Sequence, residues 1–320
     1  MTDMSLPAQK ETPPSRSFVP ISIIAVTLLL LGGFGWYFGT VFSPTARPVA
    51  LMWKMLTLPA ELRDATFISE DAYYSRGPLG LGIRSASADP IVSFAHSEEK
   101  VALLTKSDSG EYNVTLDGEK IFSTTTQLAQ LSIAPNGSYL AFTEPFFAKQ
   151  AGSVDAPLGS IALLPAFEKN VAAYSLATRA HTSIGVGAAP VFYDETHIIR
   201  RSNRGLVMKD INSGAETLLV DKSSAVLQGE VLISRDRSLI ALTDRIEKKM
   251  SLYRISNGAF TLAHQLEVDF IIAAIGDNEV YEVRSNGGDY SVVWAHPYDG
   301  SAPREVVALP SYLGVTTLSL

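Results

Sequence analysis

Three aspartates, Asp194, Asp236 and Asp277, recur along the chain at intervals of about forty residues. Carboxylates repeated in phase could ring one mouth of a repeat fold and serve as acid and base on a glycosidic bond, a reaction that needs two such groups flanking it. The plainer reading is turn chemistry, because Asp and Asn cap tight turns with their own side chains and a repeat places such turns at equivalent positions. The remaining chemistry-bearing residues add little to the catalytic reading. His96, His181, His197, His264 and His296 never fall in His-Glu-x-x-His or any close paired spacing, so zinc catalysis has no support in the sequence. Ser97-Glu98-Glu99-Lys100 matches Ser-x-x-Lys, but it sits where a turn between strands is expected rather than at a helix start. No Gly-x-Ser-x-Gly elbow occurs, and the absence of cysteine removes disulfides, thiolate metal sites and a cysteine nucleophile. Gly80-Leu81-Gly82 and Gly185-Val186-Gly187 have no helix after them and read as strand bends rather than nucleotide loops. Asn113-Val114-Thr115 and Asn136-Gly137-Ser138 fit the glycosylation sequon, although Asn136 is already explained as a turn residue. No cofactor is expected.

The elements that carry these residues are repeated strands. LSIAPNGSYLAFTE, from Leu131 to Glu144, superimposes without a gap on VLISRDRSLIALTD, from Val231 to Asp244. Ser138 meets Ser238, Ala141 meets Ala241 and Thr143 meets Thr243. Each segment is a short strand, a polar turn and a second apolar strand, which is a β rather than a helical pattern. Fainter copies begin at Ile91, Pro190 and Ile271. Glu98, Asn136, Asp194, Asp236 and Asp277 mark the first turn of each copy, and Asp117-Gly118, Asn212-Ser213-Gly214, Asn257-Gly258 and Asp299-Gly300 mark a second turn about twenty residues later. Asn-Gly and Asp-Gly favour the positive φ angles that tight hairpins demand. A period near forty with four strands per unit predicts an all-β fold, a β-propeller of about six blades, with five to seven in range. Five units are visible between Ile91 and Pro310; strands within Ala65–Ser87 and the final GVTTLSL supply a sixth, closed by pairing the two ends.

SIAPNGSYLAFTE (Ser132 to Glu144) resembles the strand-turn-strand signature of TolB-type propeller repeats, with Pro135, Asn136 and Gly137 in the place of that family's Pro-Asp-Gly turn. The match is partial for Ile233 to Thr243 and looser for the other units. The resemblance implies the fold and an extracytoplasmic setting rather than a particular partner. The additional N-terminal α/β domain of that family has no room here.

One unit breaks the rhythm. From Asn136 the second turn comes only near Ala177-Thr178, and both sets of turns place an insertion of about twenty residues at 145–167. Insertions in repeat folds emerge as loops on one face, where recognition commonly resides. Phe146, Phe147, Leu163 and Leu164 are therefore the candidate partner-binding residues; the alternative is that SIALLPAF is a displaced blade strand.

Upstream, no charged residue lies between Arg16 and Arg47, and Phe18 to Phe42 is apolar throughout. As a helix this stretch would run about 37 Å, enough to cross a hydrocarbon core of about 30 Å. A cleaved signal peptide would have an apolar region of only about 7 to 15 residues. The expected organisation is a cytoplasmic tail at 1–17, a transmembrane helix at 18–42, a juxtamembrane linker at 43–60 and an extracytoplasmic propeller at 61–320. Gly35 and Gly39 form a Gly-x-x-x-Gly pair that could bring two such helices together as a dimer. The formal charge of -7, with no basic stripe, argues against nucleic acid as a partner. The leading function is a single-pass membrane protein whose propeller binds or scaffolds another envelope protein; the rival is a glycan-active hydrolase or lyase using the propeller funnel.

Overall fold

Turn residues set the architecture, because turns reverse the chain after strands of three to nine residues and leave successive strands antiparallel. The computed structural model describes residues 58–76, 82–97, 100–145, 169–221, 231–244, 248–256, 259–268, 272–285, 290–310 and 315–320. The span 18–42, Gly35, Gly39, Phe146, Phe147, Leu163 and Leu164 lie outside these residues. Among the described residues no helix is long and apolar enough to cross a membrane.

The first three strands are β1 (Thr66–Ser69), β2 (Ala72–Arg76) and β3 (Gly82–Ala86). Blade I follows as β4 (Ile91–His96), β5 (Val101–Lys106), β6 (Tyr112–Leu116) and β7 (Glu119–Thr124). Blade II is β8 (Ala129–Ile133), β9 (Tyr139–Pro145), β10 (Lys169–Ser175) and β11 (His181–Val186). Blade III is β12 (Ala188–Phe192), β13 (His197–Ser202), β14 (Gly205–Asp210) and β15 (Glu216–Asp221). Blade IV is β16 (Val231–Ile233), β17 (Leu239–Asp244), β18 (Lys249–Ser256) and β19 (Ala259–Glu267). Blade V is β20 (Ile272–Ile275), β21 (Glu279–Ser285), β22 (Tyr290–Pro297) and β23 (Arg304–Pro310). The last strand, β24 (Val315–Ser319), pairs with β1 to complete blade VI in the order β24-β1-β2-β3. The fold is thus an all-β propeller of six four-stranded blades, closed by the two ends of the domain. The closing strand is β24; the buried Leu58 precedes a 3-10 turn at Ala60–Leu62 and lies in no strand.

In each blade the first-to-second and third-to-fourth turns fall on one face, here called the entry face because the chain enters β1 from it. The described turns of both sets expected from the sequence lie there. The second-to-third turns and the blade-to-blade links lie on the opposite, far face. Blade II completes its four strands from the described residues alone, and SIALLPAF lies outside them. Pro145 and Lys169, at either end of the segment 146–168, face one another across the β9–β10 ladder at the far face.

Each blade buries both faces against its neighbours, which is why the strands carry apolar residues on two sides. Among the described residues, apolar clusters fill the seams from blade I through to blade VI. Leu104, Val114 and Phe142 pack between blades I and II, Val171, Phe192 and Ile198 between II and III, and Ile199, Leu206 and Ile240 between III and IV. Leu252, Ile272 and Val280 fill the IV–V seam, and Phe67, Tyr281 and Leu318 the V–VI seam. At the seam between blades VI and I, Tyr73 meets Phe94 with ring centroids 5.4 Å apart, and Ser319 Oγ lies 3.1 Å from His96 Nδ1.

Candidate functional site

The innermost strands β4, β8, β12, β16, β20 and β24 surround a central channel of about 780 Å³. Its wall is mostly aliphatic and hydroxyl-bearing, because a strand packed between two blades has little room for charge. Glu70, in the β1–β2 turn, is the one carboxylate among the described lining residues and sits at the far mouth. Arg237 and His96 contribute the basic groups, both toward the entry face.

The channel wall is stitched across seams by side chains that accept main-chain N–H groups. Ser93 Oγ accepts from Leu131 N at 2.9 Å, and Ser132 Oγ accepts from Phe192 N at 3.2 Å. Gln130 Oε1 accepts both Ala189 N and the Thr143 hydroxyl at 2.9 Å. These contacts are needed because the inner strands bulge out of their own ladders between Ile91 and Ser93, Ala129 and Ser132, and Ala188 and Val191, turning backbone donors sideways. Gln130 and Ala189 adopt positive φ at those bulges, 54° and 53°.

At the entry mouth Arg237 donates to the Phe192 carbonyl, fixing the blade IV turn against blade III. Burial, with Arg235 and then Arg237 nearby, holds the His96 pKa below its ordinary value. Beside this mouth a second cleft of about 490 Å³ separates the 3-10 turn from blade V. Arg304 bridges Glu279 at 3.1 Å and Glu61 at 3.6 Å there, and Tyr281 donates to Glu279 at 2.6 Å. Burial first, then Glu279, pushes the Tyr281 hydroxyl pKa far up, so it stays a donor.

Of the phased carboxylates, Asp194 and Asp236 cap their turns, and none of the three lines the channel wall. Asp194 accepts from Thr196 N and His197 N at 2.8 Å, and Asp236 from the Ser234 hydroxyl at 2.6 Å and Ser238 N at 3.0 Å. Asn136 accepts from Ser138 N at 2.9 Å in the equivalent turn. Asp277 lines the entry-face cleft. Ser97 Oγ accepts Lys100 N at 3.3 Å, so the Ser-x-x-Lys match is a turn as well. Gly185 near the end of β11 and Gly187 between β11 and β12 are both at positive φ, where the Arg200 side chain lies against them and donates to the Val186 carbonyl. The Asn113 amide lies inside blade I and donates to Asp89 at 3.3 Å.

The histidines are dispersed. His181 Nε2 lies 3.3 Å from Glu144, which also accepts from Asn170 at 2.8 Å, while Asn170 accepts from Ser183 at 2.9 Å. His197 sits between Asp194 and Asp210 at 2.8 and 3.7 Å, His264 stacks on Tyr298, and His296 meets Glu282 at 3.1 Å. Among the described residues no group of three or more His, Asp or Glu could hold a metal ion. The channel-lining set of His96, Gln130, Ser132 and Arg237 was not singled out from the sequence. Its signal is positional: the strand just before each first-turn marker is the one that lines the axis.

No known protein-family profile matches the sequence, and no curated protein matches it either. Solved structures do share the fold. TolB from Acinetobacter baumannii is similar over 86% of this chain and 71% of its own, at 18% identity and a TM-score of 0.56. A nidogen/laminin complex structure is similar over 80% of this chain and 97% of that chain, at 11% identity and a TM-score of 0.51. The chain therefore has the six-bladed propeller fold seen in TolB, and the likeness is one of fold.

Proposed function

We propose that the chain is a membrane-tethered β-propeller that binds a partner protein outside the cytoplasm, most naturally another protein of the envelope. The carrying observation is the division of labour in the propeller. Asp194 and Asp236, which could have been catalytic, cap turns, whereas the far face combines a channel mouth carrying Glu70 as its one described carboxylate with a 23-residue connection leaving a blade already complete. A hairpin at that place needs only about two to five residues, so the excess is available for recognition through Phe146, Phe147, Leu163 and Leu164. Glycan hydrolysis requires a carboxylate pair, and the described channel lining offers Glu70 alone. The nidogen/laminin structure is an instance of this fold within a protein complex.

The tether is the uncharged stretch 18–42, with the tail 1–17 inside and the propeller outside. Gly35 and Gly39 give that stretch a face on which two copies could pair. Mild crosslinking of the full-length protein in native membranes, beside a variant lacking residues 146–164, tests the reading. A partner captured by the intact chain and lost with the variant supports it. Recovery of the intact chain in the soluble fraction, or equal capture by both, defeats the tether or the contact respectively.

A further inference from the structure

We propose that the outer edge of blade VI is a strand-addition site, at which an extended, acidic segment of a partner protein pairs antiparallel with β3 (Gly82–Ala86). This rests on the preceding reading only in taking a protein as the partner, since the edge lies on the rim and does not involve the insertion. The outermost strands of blades I to V are each blunted by one extra residue against the neighbouring strand: Ile121, Ile184, Leu219, Ala263 and Val306. A bulge twists an edge away from flat pairing, which is one way exposed edges are guarded. β3 has no bulge. It pairs with β2 in unbroken register, from Ala72 opposite Ala86 to Arg76 opposite Gly82.

The alternation of the ladder fixes which backbone groups are open. Ser87 N donates to the Asp71 carbonyl at 2.8 Å, so the hydrogen-bonded pairs that follow are Ser85 with Tyr73 and Ile83 with Ser75. Gly82, Arg84 and Ala86 therefore turn their N–H and C=O groups outward, where no strand pairs with β3 among the described residues. Opposite Gly82, Arg76 is exposed and has no carboxylate partner among the described residues. Glycine puts no side chain between Arg76 and an incoming strand, which would lie about 10 Å from β2, a gap that an arginine and a glutamate side chain span together. A second copy of the chain is a poor match for this edge. Full antiparallel overlap of two β3 strands sets Arg84 opposite Arg84, and like charges directly opposite are destabilising. An acidic segment instead meets the positive charges of Arg76 and Arg84 with opposite ones.

The test uses the purified full-length chain and two end-capped hexapeptides, Thr-Val-Glu-Val-Glu-Thr and its counterpart with lysine in place of both glutamates, read by hydrogen exchange at single amides. The glutamate peptide should slow exchange at Arg84 and Ala86, whose N–H groups point outward, and leave Ile83 and Ser85, already bonded to β2, unchanged. The lysine peptide should bind about tenfold more weakly, as two reversed charge pairs require. Arg76→Glu, which leaves the backbone untouched, should narrow or reverse that preference. Arg84→Pro removes one outward donor at an edge position that tolerates proline, and should abolish the protection of Ala86 while β17 keeps its own. A variant lacking residues 146–164 should bind the glutamate peptide as the intact chain does, which separates this edge from the insertion. No slowing at Arg84 and Ala86 up to the solubility limit of the glutamate peptide, equal protection by both peptides, loss of binding with the shortened variant, or protection appearing on β19 instead would each overturn the proposal.

Discussion

The Lys209 ammonium donates to the Ile184 carbonyl at 2.7 Å, from β14 of blade III to the outermost strand of blade II. Two positions along, the Arg200 guanidinium donates to the Val186 carbonyl and to Glu216 at 2.6 Å. β11 has a ladder partner on one side only, so the two cations occupy acceptors that an incoming strand could otherwise use. Lys209→Met, which keeps the apolar stem, should cost about 1.5 kcal/mol, the usual worth of a hydrogen bond to a charged group. Arg200→Met should cost more, about 3 kcal/mol, because Arg200 is only 4% exposed and its loss leaves both the carbonyl and Glu216 short of a donor. Denaturant midpoints at constant m-value measure both.

Two glycines allow a sharper comparison. At Gly187, φ is +152° and an added Cβ would run into the Arg201 main-chain carbonyl, which cannot swing away. At Gly137, φ is +66° and an added Cβ would meet the Lys100 side chain, whose far end can move. Gly137→Ala should therefore cost about 1–2 kcal/mol, the left-handed backbone penalty, and Gly187→Ala distinctly more. Equal melting temperatures for the two variants would show that the blade II–III link relaxes freely.

The turns made the fold legible, since φ > 0 and Asx capping admit few residue types. Asp117-Gly118, with both residues at positive φ, and Asn136, Asp194 and Asp236, each capping its turn, stand where the pattern placed them. The misfit in the second unit falls between β9 and β10, where the pattern placed it. The channel was not legible, because its chemistry is assembled by closure of the ring. His96 and Ser319 are 223 residues apart, and no local pattern links them. The Arg200 and Lys209 contacts were hidden for a related reason: a cation in a strand reads as a solvent-facing residue until the neighbouring blade is in place.

The turn aspartates also carry a pH dependence of known sign. For Asp194 and Asp236, burial pushes the pKa up, but the N–H and hydroxyl donors outweigh it and the net shift is down from 3.8. A depressed folded pKa means stability that is present above the ordinary carboxylate range and is lost as pH falls through 3.8 and below. Asp236→Asn retains the acceptor for Ser238 N and removes the titration. Its acid-unfolding curve should fall less steeply below about pH 4 than the wild-type curve. A curve of unchanged slope would assign acid sensitivity to other carboxylates.

The stitches across the inner strands lead to a last prediction. Phe192 is 1% exposed and its N–H leaves its own blade to reach Ser132 Oγ. Ser132→Ala removes the acceptor and leaves the N–H only channel water to bond, at a cost of about 0.5–1.5 kcal/mol, the net worth of one hydrogen bond. Ser132→Thr keeps the hydroxyl and, in a strand, the β-branched side chain is well tolerated. If the stitch holds the bulge in place, Ser132→Thr should remain near wild type in thermal unfolding while Ser132→Ala falls. Exchange of the Phe192 amide should accelerate in Ser132→Ala alone. Should both variants behave like wild type, the bulge at Ala188–Val191 is held by the III–IV core around Ile199 instead, and the channel wall owes nothing to its hydroxyls.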